Sequence, residues 1–280
     1  MKLANTARWA DKTKLYDAYQ PNKLVMHAQI SSYIDNQMDG AISKRRVISF
    51  SPTQKIPPRR VVTYTGERWI VGDTLVDHWR GKAIRVAAAS KKVTGSYQIL
   101  SGAEAALGSE GVEAFGQLLY LKDTVNTTDT STYSPQFEVY FAAGEPVSQG
   151  RFIKVPTGYV HVRSLYPVLD GFLCAISDDI GEARKAVELK SKGTYNSASD
   201  SWPETSTAFY GMLVDFYKLY GKDTPLTYNQ VTGDMSLIMA KASATPKAGD
   251  NLIVDLVSWK VMQVYEHETN SYRLHLRRST

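Results

Sequence analysis

Apolar residues alternate with polar ones through much of this chain, as in Ile84/Val86, Val160/Val162, Val261/Val264 and Leu274/Leu276. Alternation of that kind places one side of an extended strand against a core. Val47, Ile48 and Phe50 start such a segment before Pro52, and Pro57-Pro58 forbids a helix there. Val61-Val62-Thr63-Tyr64-Thr65 is a β-branched and aromatic run that reads as a strand, as do Leu226–Asn229 and Met235–Met239. Three stretches read instead as helices. Asn22 can cap one whose apolar face is Val25, Met26, Ile30, Tyr33 and Ile34, ending near Gly40. A short one fits Glu182–Leu189. The third follows Pro203, with Phe209, Met212, Leu213, Phe216, Leu219 and Tyr220 at helical spacing and Gly221 as its stop.

A rhythm recurs three times. Gly72-Asp73 leads to Gly81–Val86 and then Tyr97–Leu100; Gly150-Arg151 leads to Gly158–Val162 and Phe172–Ile176; Gly249-Asp250 leads to Ser258–Val264 and Tyr272–Leu276. Each block reads as glycine, strand, tight turn, strand, longer turn, strand. The slip in phase between Val261 and Val264 calls for a β-bulge. Any β protein yields hairpins of this kind, so the alternative to a true repeat is three unrelated meanders.

Polar stretches divide the chain. Asp123–Gln136 is dominated by Thr, Ser, Asp and Asn, and Lys190–Ser201 is polar with Gly and Ser. With these as linkers, the expected organisation is an N-terminal helical arm at 1–45, a β-module at 46–122, a second at 137–189, and a helix plus C-terminal β-barrel at 203–280. The fold class expected is mainly β with a few helices: small barrels or sandwiches in tandem behind a helical arm.

Composition changes this picture little. The 280 residues are 43% hydrophobic and 22% charged, which is ordinary for a globular chain, and the 17 tyrosines suit half-wet surfaces. Net charge is +5, with basic residues spread in twos and threes: Lys44-Arg45-Arg46, Arg59-Arg60, Lys91-Lys92, Arg277-Arg278. Each cluster reads as a solvated face before it reads as a nucleic-acid patch. Cys174 is the one cysteine, set in an apolar run, so it reads as a small buried hydrophobe that cannot form an intrachain disulfide. The N-terminal residues lack the apolar core of a secretory leader, and no segment is long and apolar enough for a membrane helix. The expectation is a protein made in a reducing cytoplasm.

Catalytic constellations do not emerge. The five histidines are scattered, and none has a second ligand at helical spacing. Asp178-Asp179 is a carboxylate pair by sequence, best read as a loop or helix cap, and Gly108–Gly111 lacks the Lys-Ser/Thr of a phosphate loop. No catalytic residue, metal ligand or cofactor is expected.

The C-terminal third carries a likeness. MLVDFYKLYGKDTPLTYNQVTGD followed by PKAGDNLIVDLVSWKVMQVYEHETNSYRLHLRR resembles the head-tail joining proteins of tailed bacteriophages over about residues 207–278. The matching positions are Tyr220-Gly221, Pro225, Gly249-Asp250, Trp259 with Val261, and Tyr272–Arg278; Ser258 stands where the family usually has a glycine. The resemblance implies a structural virion protein of the neck, assembled in the host cytoplasm. It would be a hexameric or dodecameric ring between portal and tail proteins, around packaged DNA. Trp259 and Tyr272 are then expected in the barrel core or an intersubunit seam, with Trp69 as a further core or interface residue, and Arg277 and Arg278 reaching a partner or the DNA. The competing reading is a monomeric nucleic-acid-binding barrel, with Lys/Arg pairs among Tyr and Trp forming a stacking groove.

Overall fold

The computed structural model describes residues 13–32, 45–120, 136–193, 195–215 and 233–279. Eighteen strands among these residues close into three barrels of six strands each. Barrel 1 contains β1 (Thr13–Asp17), β2 (Gln20–Ser32), β3 (Arg45–Phe50), β4 (Val61–Tyr64), β5 (Glu67–Trp79) and β6 (Lys82–Lys92). Barrel 2 contains β7 (Gly95–Leu100), β8 (Val112–Tyr120), β9 (Gln136–Ala142), β10 (Phe152–Val155), β11 (Gly158–Pro167) and β12 (Phe172–Gly181). Barrel 3 contains β13 (Arg184–Lys192), β14 (Glu204–Asp215), β15 (Met235–Ala240), β16 (Asn251–Val254), β17 (Val257–Glu268) and β18 (Ser271–Arg278). One short helix, α1 (Gly102–Leu107), links β7 to β8.

The three barrels share one topology. In each, the first three strands form one meander and the last three another; the third strand pairs with the sixth and the first with the fourth, all antiparallel. The likeness extends to single residues. The fifth strand of every barrel carries a register shift just past a valine, at Val71/Thr74, Val162/Ser164 and Val261/Gln263. That valine's N–H donates to the carbonyl of the residue before the fourth strand: Val71 to Arg60 (2.8 Å), Val162 to Arg151 (2.9 Å) and Val261 to Asp250 (2.9 Å). The bulge expected between Val261 and Val264 is therefore a feature of all three units.

Two of the three sequence blocks are in phase with this repeat. Gly150-Arg151 and Gly249-Asp250 both open a fourth strand, and Gly150 and Gly249 both donate to the bulge valine's carbonyl, at 2.9 and 2.8 Å. Gly72-Asp73 does not open a strand. It lies inside β5, and the equivalent opening in barrel 1 is Arg59-Arg60.

Several expectations are corrected. Among the described residues no helix stands where the N-terminal arm was expected: Asn22–Ile30 lies in β2, where Met26, Ala28 and Ile30 alternate into the core of barrel 1. Residues 1–12 and 33–44, with Tyr33 and Ile34 of the expected apolar face, lie outside the described residues. The segment 182–189 enters β13, with Val187 and Leu189 inward. Residues 204–215 form β14. That strand mimicked a helix because both of its faces are apolar: Phe209 and Leu213 enter the barrel 3 core, while Met212 and Val214 pack against barrel 2. Residues 216–232 and most of 123–136 lie outside the described residues.

The module boundaries also move. Barrel junctions fall at 93–94 and 182–183, whereas the polar stretch 190–201 is the end of β13 and part of its hairpin loop to β14. A polar loop inside a hairpin and a linker between domains share a composition, so composition alone did not separate them. The true junctions are two residues long and carry no Gly/Ser signature.

Candidate functional site

Each barrel has its own apolar interior, and two further apolar clusters lie between barrels. Between barrels 1 and 2, Ala18, Val61 and Ile70 meet Phe115, Ala142 and Phe172. Between barrels 2 and 3, Leu100 and Phe152, with Ala105 and Ala106 of α1, meet Ala183, Met212, Val214 and Ile238. Burial of this many aliphatic and aromatic side chains, each contributing about 1.5–3 kcal/mol, makes the seams comparable to cores.

The two seams use the same strands. Residues paired directly across adjacent strands point to the same face, so each barrel presents an outer row running over its fourth, fifth and sixth strands. In barrel 1 the row is Val61–Ile70–Lys91. Barrel 2 has Leu100–Phe152–His161–Asp178, the first from its opening strand. Every one of these residues is buried, because the next barrel covers them. In barrel 3 the corresponding row is Lys190–Asn251–Lys260–Arg277. Asn251 and Lys260 are exposed, and Lys190 and Arg277 half-buried.

Polar contacts lock the first seam. Glu145 is buried and takes a hydrogen bond from Tyr19 and an ion pair from Arg59, whose guanidinium also lies 3.6 Å from the Tyr19 ring centroid. The Phe115 N–H donates to the same Tyr19 hydroxyl at 3.1 Å. Burial outweighs these partners and raises the Glu145 carboxyl above its ordinary range. Lys91 enters the seam by setting its ammonium 3.7 Å from the Tyr140 ring centroid. Backbones meet closely as well: a Cβ on Gly72 would lie 2.1 Å from the Asp170 carbonyl.

In the second seam α1 is the wedge. Ser101 caps it, accepting from the Glu104 N–H at 3.2 Å while Glu104 accepts from the Ser101 N–H at 2.7 Å. Its far end stops at Gly108 with φ 72°, and Arg184 of barrel 3 donates to the Ala106 and Leu107 carbonyls at 3.0 and 3.1 Å. Glu268 of barrel 3 accepts from the Gly102 N–H at 2.9 Å. Beside these groups sit His161 and His267. His161 Nδ1 and His267 Nε2 are buried and find no hydrogen-bond partner among the described residues. Burial, with a smaller contribution from His267, pushes His161 down to about 4; burial also lowers His267.

The residues singled out from sequence fall in three settings. Trp69 is buried in the core of barrel 1, stacked on Tyr64 with centroids 5.6 Å apart. Trp259 and Tyr272 pack against the core of barrel 3. Arg277 donates to the buried Asp234 from Nε (3.1 Å) and Nη2 (3.0 Å), and His275 hydrogen-bonds the same carboxylate at 2.6 Å. Arg278 is exposed on the rim. Sequence reasoning thus named Arg277 but missed Lys190 and Lys260 beside it, since the row is assembled from strands about 70 residues apart in the chain and only register reveals it.

Asp178 and Asp179 lie on β12, not in a loop or cap, and alternation sends them to opposite faces; Asp178 pairs with Arg163 at 3.5 Å. Cys174 is buried, and burial pushes its thiol up to about 12, far from a reactive thiolate. Among the described residues no group of three or more His, Cys, Asp or Glu side chains is placed to hold a metal ion, and no helix is long and apolar enough to cross a membrane. The open groove beside barrel 1, lined by Phe50, Lys55, Ile56, Pro57, Arg60 and Val86, has two basic side chains and no acidic partner for them in its lining. No protein-family model, curated protein or solved structure matches the chain.

Proposed function

We propose that this chain is a non-enzymatic structural subunit of a tailed-phage neck, part of an oligomeric ring that joins portal to tail around the DNA channel. The observation that carries the structural half is the stack itself: three like barrels, locked in series by two buried seams. Such a body is stiff and presents outer barrel faces to its neighbours. The phage half rests on the likeness of Gly249–Arg278 to head-tail joining proteins. Those residues form the meander β16–β17–β18, with Trp259 and Val261 in its central strand and Tyr272–Arg278 in the closing one. The helix that the likeness places before this meander is not there over residues 204–215, which are strand.

Closure changes how a ring would form. A closed barrel has no free edge for strand addition, so subunit contacts run through outer faces and through hairpins that outgrow the barrels. The β5–β6 hairpin is one of these: past the residues paired with β4 and β3 it leaves Leu75, Val76 and Ile84 exposed. The test is the molar mass and shape of the purified protein, by light scattering and negative-stain imaging, alone and with isolated portal. Rings of six or twelve copies in either sample are the expected result. A strict monomer that ignores portal would overturn the neck reading.

A further inference from the structure

The outer row of barrel 3 is the third copy of a surface that twice buries another barrel. Where barrels 1 and 2 place Val61 and Ile70, or Phe152 and His161, barrel 3 places Asn251 and Lys260. That exchange removes the apolar contact on which the seams depend. It also makes a fourth barrel costly to stack unless that barrel supplied rings or counter-charge, as barrel 2 supplies Tyr140 to Lys91. Lys190 and Lys260 make no ion pair among the described residues. The carboxylates on neighbouring positions bond groups other than these lysines: Glu188 accepts from Ser206 (2.6 Å), Asp250 from Ser191 (3.0 Å) and the Lys247 N–H (2.8 Å), and Asp234 from Arg277. The row therefore offers cations to an external anion.

The same strands carry exposed rings. β13 and β14 run on beyond the barrel, pairing through Lys192 and Glu204, and their loop holds Tyr195 and Trp202. These are 44% and 56% exposed, with ring centroids 5.2 Å apart. Along the hairpin, Trp202 is four residues from Ser206, the partner of Lys190; at about 3.3 Å per residue its backbone lies within roughly 13 Å of the row. An aromatic pair raised beside a line of lysines on a small barrel is the arrangement that holds a single strand, phosphates on the cations and bases on the rings. A duplex uses the cations but offers no free base faces, and an acidic protein uses them without needing flat rings in water.

We propose that the outer face of barrel 3, from Lys190, Asn251 and Lys260 to Tyr195 and Trp202, binds single-stranded nucleic acid without sequence preference. This goes beyond the neck reading and does not depend on it. The test uses the full-length protein and a fluorescein-labelled thymidine oligonucleotide of about 15 nucleotides, a length suited to one small barrel, titrated by anisotropy at low salt. Binding is expected to weaken at least about tenfold in Trp202→Ala and in the double variant Lys190→Glu/Lys260→Glu. It should be unchanged in Lys14→Glu/Lys82→Glu, whose exposed lysines are on barrel 1. The salt dependence should flatten by about 0.7 in log–log slope for each barrel 3 lysine lost. Thermal melts of every variant check folding, and Lys190→Gln/Lys260→Gln serves where charge reversal disturbs it. Four results would overturn the proposal: no binding at low salt; binding indifferent to all barrel 3 variants; a duplex of equal length held as tightly with Trp202→Ala neutral; or poly-L-glutamate competing as well as the oligonucleotide, which would mark a face for an acidic protein.

Discussion

At the scale of single residues, the strongest constraints sit where burial and charge meet. Glu145 has a fully buried side chain, and its partner Arg59 is 29% exposed. Removing the carboxylate leaves a half-buried guanidinium without its counter-charge, bonded only to the Glu113 carbonyl, and the Tyr19 hydroxyl without its acceptor, so Glu145→Ala is expected to cost about 3 kcal/mol in a urea titration. The conservative Glu145→Gln should recover part of that loss, since its amide oxygen still accepts from Tyr19. Leu256 has the opposite character. It is 98% exposed and holds φ 65° in the turn between β16 and β17, next to Asp255 at φ 49°. The corresponding turn of barrel 1 places Gly66 there, at φ 79°. A leucine in left-handed backbone is strained and buries nothing, so Leu256→Gly should raise stability by about 1 kcal/mol, read as a higher denaturation midpoint.

At the scale of elements, the seams define the mechanics. Gly72→Ala puts a methyl group where the Asp170 carbonyl oxygen stands, and both are backbone positions that cannot rotate away. The expected loss is about 2 kcal/mol or more, visible as a lower melting temperature. The second seam should respond to pH through His161. Its native proton affinity lies near pH 4, against about 6.5 in an unfolded chain, so the unfolded state takes up the proton first. Stability from this group is complete above pH 6.5 and is lost as pH falls from 6.5 toward 4. At pH 5 the loss amounts to about 2 kcal/mol, and His161→Leu should flatten the urea midpoint between pH 7.5 and pH 5. The raised Glu145 carboxyl acts in the other direction, contributing stability at low pH that is lost as pH rises. Acid therefore loosens the junction of barrels 2 and 3 before that of barrels 1 and 2.

At the scale of the whole molecule, the two-residue junctions and the buried seams join the barrels into one body. Lys91 is buried over aromatic rings, and the Arg184 guanidinium is held by α1 carbonyls. Limited trypsin digestion followed by mass spectrometry should therefore find no early cut at Lys91 or Arg184, whereas Lys192, exposed at the start of the β13–β14 loop, should be cleaved early. Release of intact single barrels by cutting at 91–94 or 182–184 would contradict the locked stack.

The sequence by itself determined the local alternation: a mainly β chain, the fourth-to-sixth-strand meanders of barrels 2 and 3, and the bulge past Val261. Those features are decided by side chains a few residues apart. It also placed Trp69, Trp259 and Tyr272 as large rings in need of burial. Only the tertiary structure decided which apolar faces were cores and which were seams. Met212 and Phe209 are equally hydrophobic, yet one faces barrel 2 and the other its own interior. A strand buried on both sides loses its alternation, which is why β14 read as a helix. The row Lys190–Asn251–Lys260–Arg277 exists only through register between strands distant in the chain. Its meaning, an open end where two equivalents are closed, depends on the order in which like barrels are stacked.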